Sequence, residues 1–401
     1  MTNSLVMIHP FDPWGSKVGG IETAIRSLIK YAPPDFSLSL IGVTENSALR
    51  SLRQWTTRDF EGVNLSFYPL FEVETPNQRT RIPLFLRFAL ALRSSGLNFP
   101  DAVAFYHRIE PICVSRIQAR SNLLYLHSDP REWIGAHSEV RWKYIPWLYR
   151  SVEREAVRKS DWVFGVSRST VQYLQERYPE RGEQFFFLPS CYRETIFFPS
   201  PETEVEALRQ KLLRQWGLPS GSRLLLFAGR LEAQKNPLLA VEALARLHRQ
   251  HPAVHLIAAG EGSQAEEMQK HAVQAGVQQQ LHFLGSVDPV TLSKVMKVCD
   301  LLLMTSRFEG MPITVMEALA CGTPVVSTDT GEVRHLIQSG VTGEVVDSHD
   351  PDALARSVMH ILTHRSRYEK QRCVPSVESY RTDRVIPQFY EKLRILCGNQ
   401  E

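Results

Sequence analysis

Residues 301–328 read LLLMTSRFEGMPITVMEALACGTPVVST. The runs LLLMT (301–305) and PVVST (324–328) are short and apolar. Between them Ile313, Val315, Met316 and Leu319 recur at helical spacing, and Gly322-Thr323-Pro324 stops the helix. Strand, helix, strand in so few residues is a βαβ unit, which predicts parallel strands.

The same rhythm extends outward. In the second half RLLLFAG (223–229), VHLIAAG (254–260), LHFLG (281–285) and TGEVV (342–346) read as further strands. In the first half LVMIH (5–9), FSLSLIGV (36–43), AVAFY (102–106), NLLYLH (122–127), WVFGV (162–166) and FFFLP (185–189) do the same. Helical patterns lie between them, as over Ile21–Tyr31 and Lys143–Lys159. Strands apolar throughout and separated by helices predict parallel sheets covered on both faces. At 401 residues two domains are expected. The Pro- and acid-marked stretch FFPSPETEVE (197–206) places the boundary, giving domains 1–198 and 199–379. A last helical pattern, Thr382–Leu396, has no strand after it and needs something to pack on; packing of about 380–401 back on the first domain is one option.

Composition excludes several classes. With 43% hydrophobic and 22% charged residues the chain is ordinary globular protein. The net charge is 46 − 43 = +3, too mild a balance for a nucleic-acid binder, so no nucleic-acid partner is expected. No run of roughly 20 apolar residues is present to cross a bilayer, and Met1–Pro10 does not read as a secretion signal. The six cysteines form no C-x-x-C pair, so neither a zinc site nor a disulfide framework follows. They read as reduced, mostly buried residues of a cytoplasmic protein.

In open parallel sheets ligands bind beyond the carboxyl ends of the strands. The chemistry is therefore sought in the strand-to-helix loops. Glu309 lies in the loop before a helix that Pro312 opens in its first turn, and Glu317 stands about one and a half turns inside. A helix start attracts anions, and carboxylates near it are acceptors suited to sugar hydroxyls. In FAGRLEAQKNP (227–237) Arg230 and Lys235 flank a loop that opens a helix at Asn236-Pro237. Arg offers a bidentate fork and Lys a point charge, a pair suited to phosphate. AAGEGS (258–263) carries Gly260 and Gly262 after a strand, a weaker signal. HPFDPWGSKVGGIET (9–23) carries Gly19-Gly20 before a helix with Glu22 in its first turn. His127 ends the strand NLLYLH on the ligand side of its sheet, with His107 after AVAFY a weaker candidate.

The segment E-G-x6-E-A-x3-G-x-P-V-V, formed by Glu309, Gly310, Glu317, Ala318, Gly322, Pro324, Val325 and Val326, resembles the signature of the retaining nucleotide-sugar glycosyltransferases of the GT-B architecture, family four. The resemblance implies two Rossmann-like doubly wound domains facing across a cleft. It implies a hexosyltransferase taking a UDP- or GDP-sugar to an acceptor hydroxyl with anomeric configuration kept, in polysaccharide, glycolipid or other glycoconjugate synthesis. By the same resemblance Glu309 holds the transferred hexose, with N–H groups of Gly310, Met311 and Ile313 (Pro312 has none), and Glu317 holds the ribose. Arg230 and Lys235 clamp the diphosphate in place of a metal, so neither metal nor cofactor is expected. Gly260 and Gly262 would border the nucleotide, Gly19 and Gly20 the donor phosphate, and His127 the reacting sugar.

This chain departs from the family where many members read Asn-Gly-Val-Asp between the domains; here stands LPSCYRETIFFP (188–199). Asp350-Pro351-Asp352 has the D-x-D form of a metal motif, but the helical ALARSVMHIL after it makes it a helix cap. The rival readings are a hydrolysing epimerase or phosphorylase of the same architecture and a non-catalytic nucleotide-sugar-binding subunit. RTRIPLFLRFALALR (79–93) holds four arginines and no acid among Leu and Phe. That pattern suggests peripheral contact with the inner face of a membrane and a sugar or lipid-linked acceptor.

Overall fold

The computed structural model describes residues 3–16, 19–74, 82–134 and 144–398. The chain divides into two units. The first closes at Pro189 and takes back the segment from Thr382, and the second runs Ser190–Arg381. The division falls nine residues before the expected boundary (189 against 198). Residues just after Pro189 bond into the second unit: Tyr192 N–H donates to Tyr380 O, and Ile196 O accepts from Ser293.

Among the described residues the first unit holds eight strands: β1 (Asn3–Ile8), β2 (Phe36–Thr44), β3 (Thr56–Phe60), β4 (Val63–Glu72), β5 (Phe99–Tyr106), β6 (Ala119–Leu126), β7 (Trp162–Gly165) and β8 (Phe185–Phe187). Their order is β3-β4-β2-β1-β5-β6-β7-β8, parallel except for the β3–β4 hairpin. The sequence reading missed that hairpin. VNLSFYPLFE holds Asn64, Ser66 and Pro69 among its apolar residues, yet Leu65, Phe67, Tyr68 and Leu70 are buried against β2. The strand order reverses at β1, so the β1/β5 crevice is the switch point where such sheets bind ligands.

The terminal helix Thr382–Gly398 belongs to this unit. Tyr390 O–H donates to Leu28 O, Arg394 pairs with Asp35 at 2.6 Å, and Phe389 stacks on Phe105. The helix expected over Lys143–Lys159 starts at Pro146, whose missing N–H suits a first position; Lys143 lies outside the described residues. Of the basic stretch 79–93, residues 82–93 are described, and the helix is Leu84–Arg93.

The second unit holds β9 (Arg223–Ala228), β10 (Val254–Ala259), β11 (Leu281–Gly285), β12 (Leu301–Met304), β13 (Val325–Thr328) and β14 (Gly343–Val346). They form a fully parallel sheet in the order β11-β10-β9-β12-β13-β14. Its core joins Leu225, Phe227, Leu256, Leu303 and Val326 to Leu239, Leu244, Leu354 and Val358 of the covering helices. Asp350 caps the helix Pro351–Thr363 by accepting from the N–H groups of Asp352 and Ala353, as its sequence suggested.

Candidate functional site

The reversal of order at β9/β12 sets the loops after those two strands side by side. The loop after β9 carries Arg230 to Asn236, and Pro237 begins the helix Pro237–His248. The loop after β12 carries Thr305 to Pro312, and the helix Ile313–Ala320 follows. Pro312 stands just outside that helix as its N-cap (φ −75°, ψ 103°), one step before the expected first-turn position.

Lys235 and Glu309, 74 residues apart, meet here: Lys235 Nζ donates to Glu309 Oε1 at 2.5 Å. Ser306 Oγ donates to the same oxygen at 2.7 Å, and Glu309 is only 7% exposed. A buried carboxylate needs such partners. Arg230 is exposed and joins the group through Gln234, donating to Gln234 Oε1 at 3.1 Å. Gln234 Nε2 donates to Phe308 O, and Gln234 O accepts from Arg307 N–H at 2.8 Å. Thr305 Oγ1 donates to Lys235 O and Asn236 O. The two loops are thus bonded into one body, with Arg230, Lys235 and Glu309 in it. Gln234 and Ser306 lie inside segments that the sequence singles out, but nothing in the sequence assigns their side chains these bonds.

Among the described residues the N–H groups of Gly310, Met311 and Ile313 have no acceptor. They surround a helix start, which carries partial positive charge. The Glu317 carboxyl in the same helix has no hydrogen-bond partner among the described residues either, although its backbone carbonyl accepts from Cys321 N–H. It is partly exposed, but the protein packed around its carboxyl pushes its pKa up to about 8, with Arg193 opposing. A carboxyl raised that far is largely protonated at neutral pH, so it carries one donor beside its acceptor oxygen. Glu317→Gln keeps that shape and donor, so donor-ligand Kd at pH 7 should change by no more than about threefold, whereas Glu317→Leu should raise it about tenfold. Calorimetric titration of both variants checks this.

Gly260 and Gly262 are required by the fold. Gly260 has φ +150°, and a Cβ there would stand 1.9 Å from Gly229 O; one at Gly262 would stand 2.3 Å from Leu231 O. The turn lies hard against the Arg230 loop, so these glycines set that loop's position. A cavity of about 570 Å³ opens at the opposite, amino edge of this sheet. Its Arg209 and Arg365 are engaged with the buried Asp300, a structural hub away from the loops above.

In the first unit Gly19 caps the helix Gly20–Lys30, and Glu22 lies in its first turn, buried. The carboxyl ends of β1, β5 and β6 carry His9, His107 and His127. His107 Nδ1 and His127 Nε2 lie 2.9 Å apart, and His9 Nε2 lies 3.5 Å from Glu22 Oε1. His127 is therefore one of a histidine group at the switch point, which a single sequence position could not reveal. Burial, then the neighbouring His9, pulls the His127 pKa down to about 3, and burial holds His107 well below its usual range.

The unfolded chain protonates His127 near 6.5, while the native imidazole stays neutral. Native stability therefore falls as pH drops below 6.5 and stops falling on this account near 3. Discounted for its partial exposure, the loss from pH 7 to pH 5 is about 1–2 kcal/mol. Urea unfolding at the two pH values should show it, and His127→Asn should shrink the difference.

Residues 209–373, which contain every second-unit loop described above, match the family described as "Glycosyl transferases group 1". The fold class is that of GT-B glycosyltransferases: the chain aligns with sucrose-phosphate synthase from Thermosynechococcus elongatus at a TM-score of 0.78 and 18% identity, over 99% of this chain and 100% of that one. It aligns with HepE of Anabaena, solved in complex with UDP-glucose, at 0.71 and 16%, over 97% and 99%.

Among curated sequences it is 30% identical to a D-inositol 3-phosphate glycosyltransferase of Corynebacterium jeikeium over 221 residues, 52% of each chain. It is 26% identical to a glycogen synthase of Mycobacterium tuberculosis over 270 residues, 63% of this chain and 64% of that protein. The chain thus spans about half to two thirds of the length of these relatives.

Proposed function

We propose that the chain is a retaining glycosyltransferase that moves a sugar from a UDP- or GDP-sugar to an acceptor hydroxyl in polysaccharide, glycolipid or other glycoconjugate synthesis. The observation that carries the reading is the Lys235–Glu309 contact beside three N–H groups without acceptors. A diphosphate offers Lys235 and those N–H groups the negative charge they suit, with Arg230 adding a second cation. Glu309 then accepts from sugar hydroxyls, and Glu317 takes the ribose. Gly19, Gly20 and His127 are assigned by the family resemblance to contacts with donor and reacting sugar.

In the reaction the acceptor oxygen bonds to the anomeric carbon as its bond to the diphosphate breaks. The acceptor proton passes to the leaving phosphate. Negative charge grows on the diphosphate, which is where fixed cations and a helix start lower a barrier. No metal or cofactor enters this scheme.

The test is incubation of the chain with UDP- and GDP-sugars and a panel of acceptors, with product anomer read by NMR. Acceptor-dependent release of nucleotide with the anomer kept supports the proposal. Turnover needing no acceptor, or needing inorganic phosphate, points to an epimerase or phosphorylase. Binding without transfer points to a non-catalytic subunit.

A further inference from the structure

Two exposed apolar patches lie on linked elements of the first unit. The helix Leu84–Arg93 buries Phe88, Ala89 and Leu92 and leaves Leu86 and Leu90, one turn apart, 41% and 61% exposed. At the start of the helix Pro146–Lys159, Ile145 and Trp147 are 37% and 68% exposed. Arg108 ties the two elements together: its guanidinium lies 4.9 Å from the Phe85 ring and 5.6 Å from that of Trp133, which stacks on Tyr149 at 6.4 Å.

Exposed arginines lie on these two helices. Arg87 and Arg93 on the first helix and Arg150 and Arg154 on the second are exposed, and among the described residues none has a carboxylate partner. The first helix has no acid. On the second, Glu153 is buried against Arg177 and Glu155 is taken by Arg158.

Leucine and tryptophan ringed by arginine match the interface of an anionic bilayer. The apolar side chains enter the headgroup region while guanidiniums meet lipid phosphates along snorkelling stems. A second copy presenting the same face would set arginine against arginine, which disfavours a symmetric dimer. We infer that these two patches of the first unit dock on an anionic lipid surface. The inference stands independently of the proposed transfer reaction.

The test is co-sedimentation of the full chain with vesicles of phosphatidylcholine, with and without phosphatidylglycerol, at low and high salt. The bound fraction should rise roughly tenfold with phosphatidylglycerol and fall again at high salt. Leu90→Asp with Trp147→Ser, and separately Arg87→Glu with Arg150→Glu, should each cut binding about fivefold or more without changing circular dichroism or Tm. Should the apolar pair misfold, the arginine pair decides. Absence of binding to either vesicle, or binding kept by well-folded variants of both kinds, overturns the inference. So does a dimer in light scattering that Leu90→Asp splits, because a second copy then occupies the face.

Discussion

Lys235→Ala and Arg230→Ala should each cut turnover by about 10²-fold or more at saturating donor, the usual effect of deleting a charge stabiliser from a transition state. The two losses have different local origins. Lys235 is bonded to the buried Glu309, so its removal leaves that carboxylate, among the described residues, with Ser306 as its remaining side-chain hydrogen-bond donor. Some loss of stability is expected beside the loss of rate. Arg230 is exposed and held by Gln234, so its removal should spare Tm while lowering kcat. Steady-state kinetics with a melting curve for each variant separate these effects. Near-normal kcat in both would remove the cations from the mechanism.

Gly331→Ala should have the second large effect, although no motif points to that residue. Gly331 has φ +55°, and a Cβ there would stand 2.3 Å from Glu309 O and 2.4 Å from Gly310 O. Backbone atoms cannot yield as a flexible side chain does, so the Glu309 loop must shift. Gly340→Ala is the control. Its φ is +77° but its Cβ would meet nothing within 4 Å, so it suffers the left-handed strain of about 1 kcal/mol alone. Gly331→Ala should exceed the control's destabilisation by about 1–2 kcal/mol and raise donor Kd about tenfold or more. Chemical denaturation and titration of the two variants check this. Equal behaviour would mean that the loop tolerates the shift.

Sheet-forming runs and the βαβ order were legible because buried parallel strands are apolar on both faces and need no long-range information. The β3–β4 hairpin was not, since Asn64, Ser66 and Pro69 break the apolar run and its burial comes from pairing with β2. In the site, Lys235 and Glu309 could be named from local motifs, but their contact across 74 residues depends on the β9/β12 adjacency. Gln234 and Ser306 act through hydrogen bonds to other loops, and polar residues in loops carry no periodic signal. The histidine group is hidden for the same reason, because His9, His107 and His127 end three different strands. The raised pKa of Glu317 depends on how tightly the carboxyl is packed, which residue order alone does not encode.

The most direct measurement is calorimetric titration of the chain with UDP-glucose, GDP-mannose and their free diphosphates, beside Lys235→Ala and Glu309→Gln. The account predicts that one nucleotide family binds, that Lys235→Ala weakens the free diphosphate and the sugar nucleotide alike, and that Glu309→Gln weakens the sugar nucleotide more. No binding by the folded chain across a wide nucleotide-sugar panel, or binding indifferent to both substitutions, would contradict it.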